Sequence, residues 1–501
     1  MNVREASILM GADTAQVSAE LFDKQIADFS IDSRSVNAGE LFFALSQEDY
    51  ARAGFNGTFA DAHEFIANAL DRGAIAAVAR ADRFRDDARL RAQAARLLLV
   101  DDAIAALQTL ARRVYEAWGK TVVGITGSAG KTTAKELTAQ VLDSTGRRIL
   151  KSERNYNNGL GLPLSVLQMV SKGRSPEQFD VAVLEMGMSS PTHEIRRLCE
   201  ITPPDIGVEL MIAPVHLEYL GSIENIAAAK AELIEGLKPG GTAVLNADDE
   251  WVIKMRDKHQ GPTITFGIDH ESDVTATEIE TAHLGQVEFL LKTPLGEVSA
   301  ALPMSGRHNL MNALAAAAVA TCLKVQPHQI AGALREVKPP RMRGETLNFD
   351  AGFTVVDDSY NSNPRSLISM VRTIAEATEA RKRRIVIAGE MLELGPGEAR
   401  LHRDAGHEIA RSGIDLLWGI RGLAAEMIAG ARAAGLTATR FFDNSEEAAV
   451  ALLGEVKEGD LILVKGSRGV ATDKIVSALR GRFELADEVE APEHSPSGKD
   501  V

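Results

Sequence analysis

The stretch GITGSAGKTTAKE, residues Gly124 to Glu136, carries the residue types that bind a nucleotide phosphate. An apolar run, TVVGIT, leads into it and a helix-forming run, KTTAKELTAQVL, leads out. Between them, Gly127, Ser128, Ala129 and Gly130 can turn so that backbone N–H groups converge at the positive end of a helix dipole. Lys131 can then reach the β- and γ-phosphates, and Thr132, followed by Thr133, can offer a hydroxyl to Mg²⁺. The competing reading is a plain strand–turn–helix with an incidental lysine. The usual phosphate loop has a glycine five places before Gly130, where this chain has Ile125; its upstream glycine is Gly124. That spacing points to a variant class of ATP user.

Further along, FDVAVLEMG ends an apolar strand in Glu185. Ligands of α/β sheets collect at the carboxyl ends of strands, so Glu185 is placed to hold a metal directly or through water, or else is a solvated strand-end acid. In PVHLEYLGSIENIAAAKAELI, His216 follows an apolar segment and Lys230 lies within a helix. An ammonium has only donors. Lys230 therefore serves a metal site only by pairing with phosphate or as a carbamate; otherwise it is a surface lysine pairing with Glu224 or Glu232. In SGRHNLMNALAA, Asn309 and Asn312 are three apart on one helix face. Their amides suit an adenine edge, and His308–Asn309 equally suits a helix cap. Asp358, at the end of FTVVDD, can bind ribose hydroxyls or a metal-bound water. Arg343 can reach a phosphate across a closing cleft; both are otherwise solvated loop charges.

The elements that must position these groups alternate between strands and helices, the pattern of parallel-sheet α/β domains. Residues 1–118 hold the short runs LFFAL, AIAAVA and RLLLV among Ala-rich helices. Residues 119–338 form a central P-loop unit, with 262–303 expected as an antiparallel annex. The segment KPPRMRG reads as a linker. Residues 339–485 form a second doubly wound, Rossmann-like unit with strands in FTVVDD, RRIVIAGE, DLLWGI and DLILVKGS. It lacks a G-x-G-x-x-G at its first turn, so no dinucleotide site is expected there. Residues 486–501 read as a disordered acidic tail.

A net charge of -15 argues against a nucleic-acid partner or an anionic membrane surface. Two cysteines in 501 residues are too few for a disulfide framework, and no run is long enough to span a bilayer. A reducing cytoplasm and a monomer are expected.

Taken together, these words resemble the Mur ligase family. The resemblance runs through IDSRSVNAGELFFAL, GITGSAGKTTAKE, ERNYNNGLGLPLSVL, LEMGMSS, PVHLEYLGSIENIAAAKAEL, SGRHNLMNALAA, DDSYNSNPRSL, AGEMLELG with His402 after it, and VKGSRG. The NYNN and DSYNSNP words are those of the member that adds D-alanyl-D-alanine to a UDP-N-acetylmuramoyl-tripeptide. The family's phosphate loop also carries its glycine at the place of Gly124. The resemblance implies three domains, ATP, two Mg²⁺ and an acyl-phosphate intermediate. It places Ser33 and Arg34 by the UDP-sugar, Lys131 at the phosphates and Thr132 at the first Mg²⁺. Glu185, His216 and a carbamylated Lys230 would serve the second Mg²⁺, and Asn157 and Asn158 the peptide end of the substrate. Asn309, with Asn312 adjacent, would read adenine; Arg343 and Asp358 would reach ATP; Lys465, Ser467 and Arg468 would meet the dipeptide.

The chain departs from the family at Leu210–Met211, where Thr-Asn is usual, in a loop after Glu185 one residue longer, and in GVATDK after VKGSR. Two rivals remain from the sequence: another Mur-type or folylpolyglutamate-type ligase, and a P-loop kinase.

Overall fold

The computed structural model describes residues 1–55, 57–153, 156–188, 193–214, 220–283, 285–339, 341–377 and 383–486. His216, Pro340 of the linker and the tail beyond 486 lie outside these residues. The chain divides into two compact units. The first comprises Met1–Ala282, Gln286–Lys338 and Glu393–Pro396; the second comprises His283–Gly285, Pro339–Leu392 and the described residues from Gly397 on.

The first unit contains two sheets. Four parallel strands, β1 (Phe29–Ser30), β2 (Leu41–Phe43), β3 (Ala76–Arg80) and β4 (Leu97–Val100), form the smaller in the order 1-2-3-4. The larger has nine strands: β5 (Thr121–Thr126), β6 (Ile149–Lys151), β7 (Val181–Glu185), β8 (Ile206–Glu209), β9 (Thr242–Asn246), β10 (Thr263–Gly267), β11 (Val274–His283), β12 (Gln286–Thr293) and β13 (Gly296–Leu302). Their order is 13-12-11-10-9-8-5-7-6. From β6 to β11 the neighbours pair in parallel, and β12 and β13 form an antiparallel hairpin. The expected annex over 262–303 is thus smaller than the sequence implied. β10 continues the parallel sheet because the helix Glu250–Ile253 and the turn Lys254–Lys258 carry the chain across before it.

Strand β5 lies between β7 and β8, its successors in the chain crossing to opposite sides. That is a switch point, where the loops part and leave a crevice at the carboxyl ends of the strands. The phosphate-loop sequence opens there. All but the first residue of β5 are buried, as a central parallel strand covered on both faces requires.

Gly124, the glycine with the unusual spacing, belongs to this strand and not to the loop. A Cβ at Gly124 would lie 3.0 Å from Leu233 Cδ1, 3.1 Å from Pro204 Cγ and 3.2 Å from Met186 Sδ. Its role is to let the helix Ile223–Glu235 approach the sheet. Gly124→Val is expected to destabilise the protein by about 1–3 kcal/mol through overpacking. A lowered urea midpoint at unchanged slope would show it; an unchanged midpoint would mean the helix is free to move.

The second unit has one sheet of six strands: β14 (Glu345–Asn348), β15 (Thr354–Asp358), β16 (Arg383–Gly389), β17 (Leu416–Ile420), β18 (Thr439–Phe442) and β19 (Asp460–Lys465). The order is 14-15-19-16-17-18, with β14 antiparallel to β15 and the remaining pairs parallel. Its core is built from the alternate apolar residues of β15, β16 and β19 with the helix Asp473–Arg482. Among the described residues, no helix is long and apolar enough to cross a membrane.

Candidate active site

The helix Lys131–Asp143 begins immediately after Gly130, whose φ of 86° is left-handed. A Cβ at Gly130 would overlap the Asn312 side-chain oxygen. The helix Arg307–Cys322 therefore packs its amide directly on the phosphate loop. The Lys131 ammonium donates to Gly127 O at 2.7 Å, so it lies back along the loop. Thr133 is buried in the first helical turn. Ser128 differs from the expectation: its backbone N–H donates to Met211 O at 2.8 Å. Its hydroxyl donates to Ala213 O at 3.1 Å and accepts from Ala213 N–H at 2.9 Å. Ser128 ties the loop to the segment after β8 instead of turning a donor toward an anion. Leu210–Met211 serves the same joint through backbone and packing: a Cβ on Gly127 would lie 2.8 Å from Leu210 Cβ.

Glu185 is 3% exposed at the end of β7. One carboxylate oxygen accepts from the Thr132 hydroxyl at 2.9 Å and the other from Asn157 Nδ2 at 2.9 Å. Asn157 is fixed in turn by Gly187, whose N–H donates to Asn157 O at 2.6 Å. Three residues that sequence reading assigned to phosphate loop, metal and substrate thus meet on one carboxylate. Asn158 Oδ1 accepts from Leu160 and Gly161 N–H at 3.2 and 2.9 Å, closing the turn into the helix Gly161–Leu167.

Lys230 is 2% exposed, which removes the surface-lysine reading. Glu232 has other partners: His193 at 2.5 Å and Arg196 N–H at 3.0 Å. His193, in the lengthened loop, has a left-handed φ of 54°. Lys230 faces a group that sequence reading missed. Gly124 of β5 and Gly207 of β8 both face Leu233. Two residues on, Thr126 and Glu209 share that face and are paired across the ladder. Lys230 is one turn before Leu233 on the helix, over those strand ends. Thr126 Oγ1 and both Glu209 carboxyl oxygens are buried without a hydrogen-bond partner among the described residues. Glu209 was visible as a single acid inside the apolar run IGVELMIAPV.

Burial pushes the Glu209 carboxyl up to about 8, Lys230 opposing the rise and Asp249 adding to it. Burial pushes the Lys230 amine down to about 7; Lys131 adds to the fall, and Glu209, Glu185 and Glu194 oppose it. From about pH 4.5 to 8 the folded chain keeps a proton on Glu209 that the unfolded chain loses, so this group makes stability fall with rising pH. Glu209→Gln has no such proton to keep. Its melting temperature relative to the parent is expected to rise from pH 5 to pH 8, and a constant difference would contradict the assignment.

Asn309 is 1% exposed, and its Nδ2 donates to Ser305 O at 2.8 Å. Gly306, not Asn309, is the N-cap of this helix. In the smaller sheet's half, Ser33 and Arg34 line a cavity of about 620 Å³ with Tyr50, Phe59, Asn68 and Arg72. Arg34 pairs with Asp32 through Nε and Nη2 at 2.9 and 2.8 Å.

In the second unit, Asp358 accepts from Lys465 Nζ at 2.5 Å, and Lys465 also donates to Asn361 O at 2.9 Å. The two residues, expected at different ligands, form one ion pair joining the ends of β15 and β19, with the Lys465 side chain 3% exposed. Ser467 Oγ accepts from Leu392 N–H at 2.9 Å. Arg343 and Arg468 both lie over the ring of Tyr360. His402 is wholly buried: Nδ1 donates to Glu398 O and Nε2 accepts from Met391 N–H, so it pins a loop. Asp357 is pushed up to about 6 by burial, against the hydrogen bonds of Ser359.

Thr132 and Glu185 together present hard oxygen donors, the type Mg²⁺ takes alongside phosphate oxygens and water. Among the described residues, no group of three or more His, Cys, Asp or Glu forms a complete metal site by itself.

Two family models match the chain: the Mur ligase middle domain over residues 125–320 and the Mur ligase, glutamate ligase domain over 342–468. A UDP-N-acetylmuramoyl-tripeptide–D-alanyl-D-alanine ligase of Bacillus subtilis is 32% identical, covering 89% of this chain and 92% of its own. The protein of that name from Escherichia coli is 32% identical over 90% and 92% of the two chains. A crystal structure of MurF from Acinetobacter baumannii superposes with a TM-score of 0.80 at 26% identity, over 96% and 99% of the two chains. MurF ligase from Thermotoga maritima, in complex with ADP, gives 0.75 at 26% identity over 91% and 97%. A folylpolyglutamate synthase of Mycobacterium tuberculosis, at 17% identity and a TM-score of 0.60, shares the fold alone. With both family models on the two halves that carry the loop, Glu185 and the Asp358–Lys465 pair, and relatives this similar along most of its length, the chain belongs to the Mur ligase family.

Proposed function

We propose that this chain joins D-alanyl-D-alanine to the terminal carboxylate of a UDP-N-acetylmuramoyl-tripeptide, using ATP. Residues 1–118 take the UDP end, 119–338 the ATP and 339–485 the remaining contacts. The observation that carries the reading is the Glu185 carboxylate, bonded to Thr132 at the helix N-terminus and to Asn157, in a crevice where Lys131 and the buried Lys230 both project. A kinase would share the loop and a metal; relatives named as this ligase, 32% identical along most of the chain, favour the ligase.

The substrate carboxylate attacks the γ-phosphorus, and ADP leaves with the bonding pair. The amine of the dipeptide then attacks the acyl carbon, the acyl carbon–oxygen bond breaks, phosphate departs with its bonding pair, and the amine loses its proton. In the first step two anions meet, so cationic groups must be held ready. Lys131 and the N–H groups of the helix Lys131–Asp143 supply part of that charge. Two Mg²⁺, when bound, would neutralise the phosphates; Thr132, Glu185, His216 and Lys230 are the residues we assign to hold them.

Lys230 can ligate Mg²⁺ only with an added oxygen function. Its amine, pushed down to about 7, has a neutral fraction at physiological pH, and neutral amine is the form that adds CO₂ to give a carbamate. Gly127, Gly130, Lys131, Thr132 and Thr133 are assigned to the phosphates and Asn309 and Asn312 to the adenine side. Arg343 and Asp358 are assigned to ATP, Ser33 and Arg34 to the UDP end, Asn157 and Asn158 to the peptide end. The VKGSRG turn with Lys465, Ser467 and Arg468 is assigned to the dipeptide. The aromatic rings and Arg72 of the 620 Å³ cavity suit a base and a diphosphate. The proposed setting is a monomer in the cytoplasm.

The test is phosphate release by purified protein with ATP and a panel of UDP-muramoyl tripeptides. Release only when D-alanyl-D-alanine is also present supports the reading. Release driven by a single amino acid would move the chain to another ligase class. A stable phosphorylated product would make it a kinase.

A further inference from the structure

Strands β5 and β8 pair in parallel with Thr126 opposite Glu209, and Leu210 N–H donates to Thr126 O at 3.1 Å. A regular ladder would next run from Ser128 N–H to Leu210 O, and then from Ile212 N–H to Ser128 O. The chain departs from that pattern at the root of the phosphate loop. Ser128 N–H donates to Met211 O at 2.8 Å, one residue further along. The Leu210 carbonyl, passed over by this slip, accepts from Asn246 Nδ2 at 2.7 Å. Ile212 N–H donates to Asp249 Oδ2 at 3.0 Å. The far end is clasped by the Ser128 hydroxyl, which bonds both the N–H and the carbonyl of Ala213.

Asn246 ends β9, and Asp249 caps the short helix that follows. Both are buried, and both are fixed in their own turn. Asn246 Oδ1 accepts from Asp248 N–H at 2.9 Å, and Asp249 Oδ1 from Trp251 and Val252 N–H at 3.0 and 3.2 Å. The other end of each side chain is therefore held rigidly toward the slipped segment. A buried carbonyl or N–H left without a partner costs about 1–3 kcal/mol. Without these two side chains, the regular register is the cheaper way to pair Leu210 O and Ile212 N–H. That register would draw Ser128 back along β8 by roughly 3 Å, one strand residue. Donors that cradle a phosphate work only within tenths of an ångström of their place.

We propose that Asn246 and Asp249 are positioning residues for ATP: by holding β8 one residue out of register they aim the phosphate loop, although neither belongs to it. This rests on the assignment of ATP to Gly127–Thr133 made above.

The experiment measures ADP affinity by titration calorimetry with Mg²⁺ present, together with the melting temperature and the KM for D-alanyl-D-alanine of each protein. It compares the full chain with Asn246→Ala, Asp249→Asn, Ser128→Ala, Lys131→Ala and the combination of Asp249→Asn with Ser128→Ala. Asp249→Asn keeps an oxygen for the two helix N–H groups and turns its amide toward Ile212. It also removes a negative charge, which by itself would strengthen the binding of an anion, so weaker binding reports geometry. Asn246→Ala and Asp249→Asn are each expected to weaken ADP binding about fivefold, the worth of one hydrogen bond, while the KM for dipeptide stays within about twofold. The combined variant is expected to lose clearly less than the product of its two single losses, because both act through residues 210–213.

A lowered melting temperature with unchanged ADP affinity in Asn246→Ala and Asp249→Asn would reduce both residues to structural roles and overturn the proposal. Single losses that simply multiply would also overturn it. If Asn246→Ala fails to fold, Asp249→Asn and its combination with Ser128→Ala still decide. If Lys131→Ala leaves ADP affinity unchanged, the assignment of ATP to the loop falls and the proposal with it. A strong loss in Lys131→Ala beside unchanged binding in Asp249→Asn sinks the proposal alone.

Discussion

Lys131→Ala is expected to lower kcat for phosphate release by about a thousandfold while leaving the fold intact. The side chain is not part of the core: its ammonium bonds to Gly127 O, within its own loop. Removing it costs the hydrogen bond to the buried Gly127, so the melting temperature is expected to fall by only a few degrees. The catalytic loss is large because the attacking group and the target are both anions. A point charge of three donors on a flexible stem can follow the γ-phosphate as it transfers. Lys131→Arg is expected to recover little, since a planar guanidinium cannot lie back over Gly127 in the same way. Activity within tenfold of the parent in Lys131→Ala would mean that the loop binds something other than the transferred phosphate.

The second large effect is expected at Lys230. Lys230→Ala is expected to lose about a hundredfold or more in kcat, with partial recovery when millimolar acetate or formate is added. The small carboxylate can enter the space left by the side chain and replace the oxygen function of a carbamate. Lys230→Arg is expected to stay inactive with or without the additive, because a guanidinium does not add CO₂ at neutral pH. A second readout is a ¹³C resonance of a carbamate after exposure of the parent protein to ¹³C-bicarbonate, absent in both variants. Full activity in Lys230→Ala would remove the lysine from the mechanism. A loss with no rescue and no resonance would leave it as an ammonium facing phosphate.

The α/β alternation and the phosphate loop were legible because they are local. Strand, glycines, lysine and helix follow one another within 13 residues, and backbone geometry does the rest. Glu185 was legible because a strand end is a place that topology defines. What the sequence could not show is what lies across from these groups. Ser128 has the composition of a loop donor, yet its amide and hydroxyl are taken by Met211 and Ala213, more than 80 residues away. Lys230 looks like a surface lysine until the helix Ile223–Glu235 is laid on β5 and β8. Only then do Gly124 and Gly207 explain its depth, and only then does Glu209 face it. In the second unit, Asp358 and Lys465 each read as a separate ligand contact, and parallel pairing of β15 with β19 places them in register. The annex was misjudged for a related reason. The residues of β10 do not reveal which way their neighbour runs; the crossover before them does.

The central claim is that the substrate carboxylate itself takes the phosphoryl group. It is tested most directly with a UDP-muramoyl tripeptide labelled with ¹⁸O in its terminal carboxylate, incubated with ATP and D-alanyl-D-alanine. The attacking oxygen stays on phosphorus when the amine displaces phosphate, so each phosphate released is predicted to carry one ¹⁸O from the fully labelled substrate. Unlabelled phosphate formed alongside the amide product would contradict the account.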